Sequence, residues 1–306
     1  MLSLSTSFMA GCCDNGKDLV AAIEAFGAPG VELEYRISEK LFHQMRPVLA
    51  ASTLQVTSIH NFSPHPKIFA KLAPSGDLFS LSDTDRERRK LAVQWTQRTI
   101  EHANDLEARA VVLHCGRVDM TPDVESLYGF LKADAMETEA AKACLSTQLD
   151  MRDRLKPPHL DALCSSLDRL LGTAERHSVT LALENRFHLH ELPGPDDFQT
   201  LFGEFRGAPL GYWHDTGHAH AAHLLTWLPP GDLPAGCADR LVGMHLHDAR
   251  GLDDHLAPGA GDIDFNPLKP LVKGDIPLVM ELKPGTPDQA VHDGLAHLRK
   301  TFELKG

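Results

Sequence analysis

Short apolar runs, rich in branched side chains, alternate eight times with segments that carry apolar residues at helical spacing. The runs predict β-strands at residues 2–8, 31–35, 54–61, 110–114, 179–184, 210–215, 241–247 and 276–281. The intervening segments predict helices at residues 17–26, 39–50, 84–106, 159–177, 195–206, 217–227, 265–273 and 287–302. Strands that alternate with helices predict a parallel sheet, and eight such units are the number that closes a (β/α)8 TIM barrel.

Two connections are longer than ordinary loops. Residues 62–82 contain three prolines, and we expect them to lie over the barrel mouth. Residues 117–157 contain a further helical segment, which must stop where Pro157 and Pro158 follow one another. A doubly wound open sheet is disfavoured because the chain lacks the G-x-G-x-x-G turn that usually begins one. We therefore predict a single α/β domain over residues 1–306, with residues 117–157 as an added helical element outside the barrel.

The composition excludes several classes of protein. Lysine and arginine number 30 against 42 aspartate and glutamate, and a net charge of −12 repels nucleic-acid phosphates. No apolar run approaches the roughly 18 residues of a transmembrane helix, and the N-terminal segment lacks the basic start of a signal peptide. The six cysteines include no C-x-x-C pair, which favours free thiols in a reducing compartment. We expect a cytoplasmic protein that binds neither nucleic acid nor membrane, and a homo-oligomer is compatible with this composition.

Six consecutive predicted strands, the third to the eighth, are apolar until they end in histidine or a carboxylate. These residues are His60, His114, Glu184, Asp215, His245 followed by His247, and Glu281. Taken singly, each is more often a solvated loop residue, but barrel enzymes build their sites at the C-terminal ends of the strands. Buried polar groups are costly unless they are paired or bound to metal. Because one divalent cation satisfies several carboxylates and imidazoles, the joint pattern predicts a metal site at the barrel mouth.

Two neighbouring motifs add candidates to this site. In the sequence D-T-G-H, Asp215 and His218 can share one coordination sphere at a turn from strand to helix. The loop after the seventh predicted strand contributes Asp253 and His255, although a D-x-H spacing alone is a weak signal. The glycine-rich turn at 258–261 could bind a phosphate, but such a turn more often only reverses the chain.

Five segments together resemble the xylose isomerase-like TIM-barrel superfamily, which joins sugar and sugar-phosphate isomerases and epimerases with endonuclease IV. They are LALENR (181–186), WHDTGHAH (213–220), GMHLHD (243–248), DDHLAPGAGDIDF (253–265) and MELKP (280–284). The isomerase and epimerase branch implies metal ligands at Glu184, Asp215, His245 and Glu281. The endonuclease IV branch implies a trinuclear zinc site that uses those four together with His60, His114, His218, Asp253 and His255. Residues 117–157 depart from both branches.

The resemblance implies two alternative chemistries. In an isomerase or epimerase, a divalent cation holds adjacent substrate oxygens and stabilises an enediolate, while Glu184 and Glu281 take and return the proton. His218 would then bind a substrate hydroxyl, and His60 would line the mouth. In an endonuclease IV-like phosphodiesterase, several zinc ions activate a hydroxide for attack on phosphorus. A metal-stabilised binding module without catalysis is a third possibility.

The charge balance favours the first alternative, because duplex DNA would be repelled. We predict a metal-dependent isomerase or epimerase of a small sugar, sugar phosphate or polyol, with the multinuclear zinc hydrolase as the alternative. The many imidazoles favour zinc over magnesium, although manganese and iron accept the same ligands. We expect a small polyhydroxylated substrate and no nucleotide cofactor.

Overall fold

A computed structural model describes residues 1–228 and 233–304. The barrel strands are β1 (Leu2–Ser5), β2 (Gly30–Leu33), β3 (Gln55–His60), β4 (Ala110–Leu113), β5 (Thr180–Glu184), β6 (Leu210–Asp215), β7 (Leu241–Leu246) and, after the hairpin strands β8 (Asp248–Arg250) and β9 (Asp253–Leu256), β10 (Leu278–Met280). They form a closed barrel in the order β1-β10-β7-β6-β5-β4-β3-β2, and every pair in it is parallel. The predicted eight-stranded barrel is therefore confirmed.

The α-helices follow the predicted alternation except between β7 and β10. They are α1 (Gly16–Ala25), α2 (Glu39–Ala51), α3 (Arg86–Asp105), α4 (Val124–Lys132), α5 (Glu139–Leu155), α6 (Pro157–Arg176), α7 (Asp197–Glu204), α8 (Thr216–Leu224) and α9 (Asp288–Thr301). No helix within the described parts of the chain is long and apolar enough to cross a membrane.

Two predicted boundaries are wrong for identifiable reasons. The helix predicted at 265–273 is a short 3-10 helix, Asn266–Leu271, because Pro270 in its interior cannot donate the backbone hydrogen bond that an α-helix requires. The first strand ends at Ser5, where the Ser5 hydroxyl accepts the backbone N–H of Ser7 and begins a 3-10 helix.

Alternate residues of the barrel strands face two different environments. Side chains on the outer face pack against the helices in one large apolar core. On the inner face, Trp213 fills the barrel interior among Ala110, Val112, Ala182 and Val279, and it is fully buried. A Cβ atom on Gly243 would lie 2.0 Å from the Trp213 ring, so only glycine leaves room for the indole at that position of β7. The metal-site candidates lie above this apolar floor, with the His245 ring 5.1 Å from Trp213.

The insertion at 117–157 is helical, as predicted, and it consists of two helices, α4 and α5. Leu127 and Leu145 of these helices pack against Leu189, which follows β5, and Leu225, which follows α8. Arg152 at the end of α5 binds Asp197 of α7 with an Nη2 to Oδ2 distance of 2.6 Å. The insertion therefore rests on the loops that follow β5 and α8, beside the C-terminal ends of the strands, and does not simply flank the helix layer.

Candidate metal centre

Four of the predicted ligands meet at the C-terminal ends of the strands. Glu184, Asp215, His245 and Glu281 each offer an atom within 4.8 Å of the others, and all four are buried. The Nδ1 atom of His245 lies 2.7 Å from Glu184 Oε1, 3.1 Å from Glu281 Oε2 and 3.7 Å from Asp215 Oδ2. Three carboxylates this close together in a buried site repel one another, which a cation would relieve. The set of three carboxylates and one imidazole therefore fits a divalent metal ion.

The electrostatics of His245 are consistent with this fit. Burial alone would lower the pKa of His245, but the carboxylates of Glu281, Glu32 and Glu184 together raise it well above its ordinary value. A positive charge is thus favoured at the centre of the four ligands. Because an imidazole must lose a proton from the nitrogen that binds a metal, we expect metal uptake here to release a proton.

A second cluster adjoins the first through Glu184. His114 Nε2 lies 2.9 Å from Glu184 Oε2, and His60 Nε2 lies 3.6 Å from the same oxygen. The Nδ1 atoms point away, since His60 Nδ1 donates to the Asn61 carbonyl at 2.7 Å and His114 Nδ1 lies 3.0 Å from Asp77 Oδ2. Imidazoles that donate one N–H to an oxygen and offer the other nitrogen are oriented as metal ligands usually are.

Asp77 belongs to the long loop at 62–82, which lies over the mouth as predicted. Its carboxylate contacts His114 and also accepts a hydrogen bond from Arg186 Nη2 at 3.1 Å. Arg186 Nη2 also donates to Glu191 Oε1 at 2.8 Å, and the guanidinium is buried. Arg186 was not among the predicted site residues, although a basic residue two positions after Glu184, at an otherwise acidic mouth, was a usable signal.

His247 is a second buried residue outside the predicted ligand set. Its Nε2 lies 3.0 Å from both carboxylate oxygens of Asp215, and its Nδ1 accepts the backbone N–H of His255 at 2.8 Å. Because Nδ1 accepts, it carries no proton, and the proton on Nε2 is donated to Asp215. A Cβ on Gly217 would lie 2.1 Å from His247 Cε1, so glycine is required for this approach. His247 therefore fixes the orientation of Asp215.

Three predicted ligands lie outside the two clusters. His218 Nδ1 donates to the Asn185 carbonyl at 2.9 Å, and the His218 ring lines the mouth. The His255 ring stacks on His247 with centroids 4.0 Å apart, and its Nε2 lies 3.9 Å from Glu281 Oε2. Asp253, the first residue of β9, is exposed, and Lys283 Nζ donates to its carboxylate at 2.8 Å.

The structure thus brings together six of the nine predicted ligands, and across residues 1–228 and 233–304 no third cluster of metal-binding groups joins them. Asp253 does not reach the site because the hairpin register directs its side chain to solvent. His218 and His255 remain beside the site, within reach of a bound molecule.

The glycine-rich turn at 258–261 has an internal role. The buried carboxylate of Asp248 accepts the backbone N–H groups of Ala249, Gly259, Gly261 and Ile263, each at 2.9 Å. These amides are the ones that a bound phosphate would need. The turn therefore binds its own aspartate, and the phosphate-binding alternative loses its basis.

Residues 20–301 match the family described as the xylose isomerase-like TIM barrel. The chain belongs to this family. An uncharacterised protein of Methanocaldococcus jannaschii is 28% identical over 203 residues, which cover 63% of this chain and 56% of that protein. The match thus spans little more than half the length of this curated relative.

Solved structures extend the likeness over the whole barrel. A D-psicose 3-epimerase from Clostridium cellulolyticum, solved with D-tagatose, has a TM-score of 0.67 at 12% identity and covers 100% of this chain and 99% of its own. The IOLI protein with a bound zinc atom has a TM-score of 0.62 at 13% identity and covers 99% of this chain and 98% of its own. At these identities the similarity shows the shared fold.

Proposed function

We propose that this protein is a metal-dependent isomerase or epimerase of a small sugar or polyol, with zinc as the expected ion and manganese or iron as alternatives. The observation that carries the proposal is the pair of buried carboxylates, Glu184 and Glu281, that approach His245 Nδ1 from β5 and from the end of β10. The family membership and the epimerase among its structural neighbours support the same class of reaction.

The protein's own groups account for the proton transfers. A cation held by Glu184, Asp215, His245 and Glu281 would act as a Lewis acid toward adjacent substrate oxygens. In the barrel order, two strands (β6 and β7) separate β5, which ends in Glu184, from β10, which Glu281 follows, so the two carboxylates flank the space between them. One can remove a proton from a substrate carbon, and the other can return a proton to the neighbouring carbon or to the opposite face.

Two histidines are placed to bind the substrate. His218 and His60 each donate Nδ1–H to a backbone carbonyl, at 2.9 and 2.7 Å, which leaves Nε2 of each ring for another contact. A ring nitrogen can exchange hydrogen bonds with the hydroxyl groups of a polyhydroxylated substrate.

The test separates binding of the metal from proton transfer. Glu281→Gln keeps the volume and one coordinating oxygen but removes the base, so we expect metal to remain and turnover to collapse. His245→Ala removes a ligand, and metal affinity should fall about 10-fold or more. Ketoses with and without phosphate are incubated in D2O with each protein, and exchange of carbon-bound hydrogen is followed by NMR. Full exchange by Glu281→Gln would contradict the proposed role of Glu281.

The second cluster favours one other candidate, an endonuclease IV-like zinc phosphodiesterase. In that enzyme class, His60, His114 and Glu184 would hold a second ion. The exposed position of Asp253 and the net charge of −12 oppose it, because they remove a predicted ligand and repel duplex DNA. We expect no incision of an abasic-site duplex at about 150 mM salt, whereas micromolar binding with incision would favour the hydrolase.

A further inference from the structure

Glu32 is a buried carboxylate for which the proposed reaction has no direct use. It lies on β2 with none of its surface exposed. The Ser5 hydroxyl donates to Oε1 at 3.1 Å, and the Ser58 hydroxyl donates to Oε2 at 2.8 Å. These serines are its register partners on β1 and β3, so the strand pairing itself places the carboxylate.

The remaining contact of Glu32 is with His245. Both carboxylate oxygens lie 3.1 Å from His245 Nε2, on the side of the ring opposite the ligand cluster. A buried carboxylate needs hydrogen-bond donors for its oxygens, and His245 Nε2 is the third donor in reach of Glu32 beside the two serine hydroxyls. Since the carboxylate accepts, Nε2 donates a proton to it, and Nδ1 is the nitrogen that faces Glu184, Asp215 and Glu281, where loss of its own proton would leave a lone pair for a metal ion.

We infer that Glu32 is a positioning residue that orients His245 for metal binding through Nδ1. This inference rests on the proposed metal site. A carboxylate behind a ligating histidine fixes the ring and its tautomer and makes the other nitrogen a stronger donor to the metal. Glu32 does this from across the barrel, since β2 and β7 are not neighbours in the sheet. Each serine adds one hydrogen bond to Glu32.

The experiment measures metal binding and not turnover. Zn²⁺ affinity is determined by competition with a chromophoric chelator, and the Co²⁺ protein is examined by visible absorption. The proteins are the parent, Glu32→Gln, Glu32→Ala and, as the matched control, Ser58→Ala, which removes one bond to Glu32 and leaves its contact with His245. Thermal unfolding of each metal-free protein is recorded as a check on folding.

We expect Glu32→Ala to weaken Zn²⁺ binding by about 10–100-fold and to shift the Co²⁺ bands. Glu32→Gln should give a smaller loss, because the amide oxygen can still accept from Nε2 but carries no charge. Ser58→Ala should bind Zn²⁺ nearly as tightly as the parent. If Glu32→Ala does not fold, the isosteric Glu32→Gln provides the same comparison.

Three outcomes would overturn the inference. Parental Zn²⁺ affinity in both Glu32 variants would show that His245 needs no support from this carboxylate. If Ser58→Ala weakens Zn²⁺ binding as much as Glu32→Ala does, the loss is a general effect of substitutions inside the barrel and does not depend on the contact between Glu32 and His245. A parent that binds neither Zn²⁺ nor Co²⁺ would remove the proposed metal site as well, so the two failures are distinguishable.

Discussion

A substitution at Gly217 in α8 tests whether this glycine is required for steric reasons, unlike an ordinary glycine in a helix. In Gly217→Ala, the new Cβ would lie 2.1 Å from His247 Cε1, which is about 1.3 Å short of an ordinary contact at 3.4 Å. The ring cannot retreat freely, because Asp215 holds one nitrogen and the backbone of His255 holds the other. The substitution must therefore break at least one of these hydrogen bonds.

The expected loss follows from those bonds. A hydrogen bond to a charged group contributes about 1.5–3 kcal/mol, and the neutral bond from His255 contributes about 0.5–1.5 kcal/mol. Alanine in place of glycine in a helix gains up to about 1 kcal/mol. We expect Gly217→Ala to lower the free energy of unfolding by about 2 kcal/mol. Gly172→Ala in α6 is the matched control: its Cβ would meet only Arg176 Nη1, at 3.7 Å, so it should stabilise the protein.

Urea unfolding of the metal-free proteins measures both changes, with an unchanged m-value as the sign that the unfolded state is the same. His247→Ala and the double variant Gly217→Ala/His247→Ala complete a double-mutant cycle with Gly217→Ala. Without the imidazole, Gly217→Ala should become as favourable as Gly172→Ala. If Gly217→Ala alone already matches Gly172→Ala, then the position of His247 is not fixed as described, and our account of Asp215 is wrong.

Three further predictions concern the loops around the site. Asp248→Ala removes the acceptor of four amides, so we expect a loss of about 3 kcal/mol in urea unfolding and faster proteolysis within 257–263. Burial alone would raise the pKa of Glu191, but Arg186 lowers it to about 2. The Glu191 carboxylate therefore stabilises the folded protein above the pKa that it has in the unfolded chain, and this stabilisation is lost as pH falls. The difference in urea midpoint between the parent and Glu191→Gln should accordingly shrink from pH 6 to pH 3.5, and a constant difference would contradict the pairing. Leu127→Ala should lower the free energy of local unfolding of α4 and α5 by about 2–5 kcal/mol. Amide hydrogens in α4 and α5 should then exchange faster, while those of the barrel strands stay protected.

The barrel could be predicted because its strands are short apolar runs that end in polar residues. Glu184 and Asp215 are the last residues of β5 and β6, and Glu281 directly follows β10, so the end of each apolar run located both the strand and the site. The docking of the insertion at 117–157 could not be predicted in the same way. It depends on apolar contacts with Leu189 and Leu225, which are distant in sequence and show no periodic signal.

The supporting residues of the site were only partly predictable. Glu32 alternates with apolar residues in V-E-L-E, and this pattern places it on the inner face of the barrel. The inward position of Glu32 could therefore be predicted from the sequence. The role of His247 depends on the backbone N–H of His255, which no pattern of side chains encodes. The outward direction of Asp253 likewise follows from the register of the β8–β9 hairpin, which a one-residue shift would reverse.

The order of the strands bears on how the chain folds. β1 pairs with β10, with Leu2 opposite Leu278, so the seam of the barrel joins segments from opposite ends of the described chain. Contacts of such long sequence separation form late, because the loop entropy must be lost before they contribute.

Glu281 directly follows the strand that closes this seam. During synthesis on the ribosome, the candidate metal site is therefore incomplete until the last strand has emerged and paired. A cation that needs all four ligands would bind the closed barrel and not the open one, and by mass action it would hold the seam shut. Metal supply during synthesis would then govern the yield of folded protein as well as the occupancy of the site.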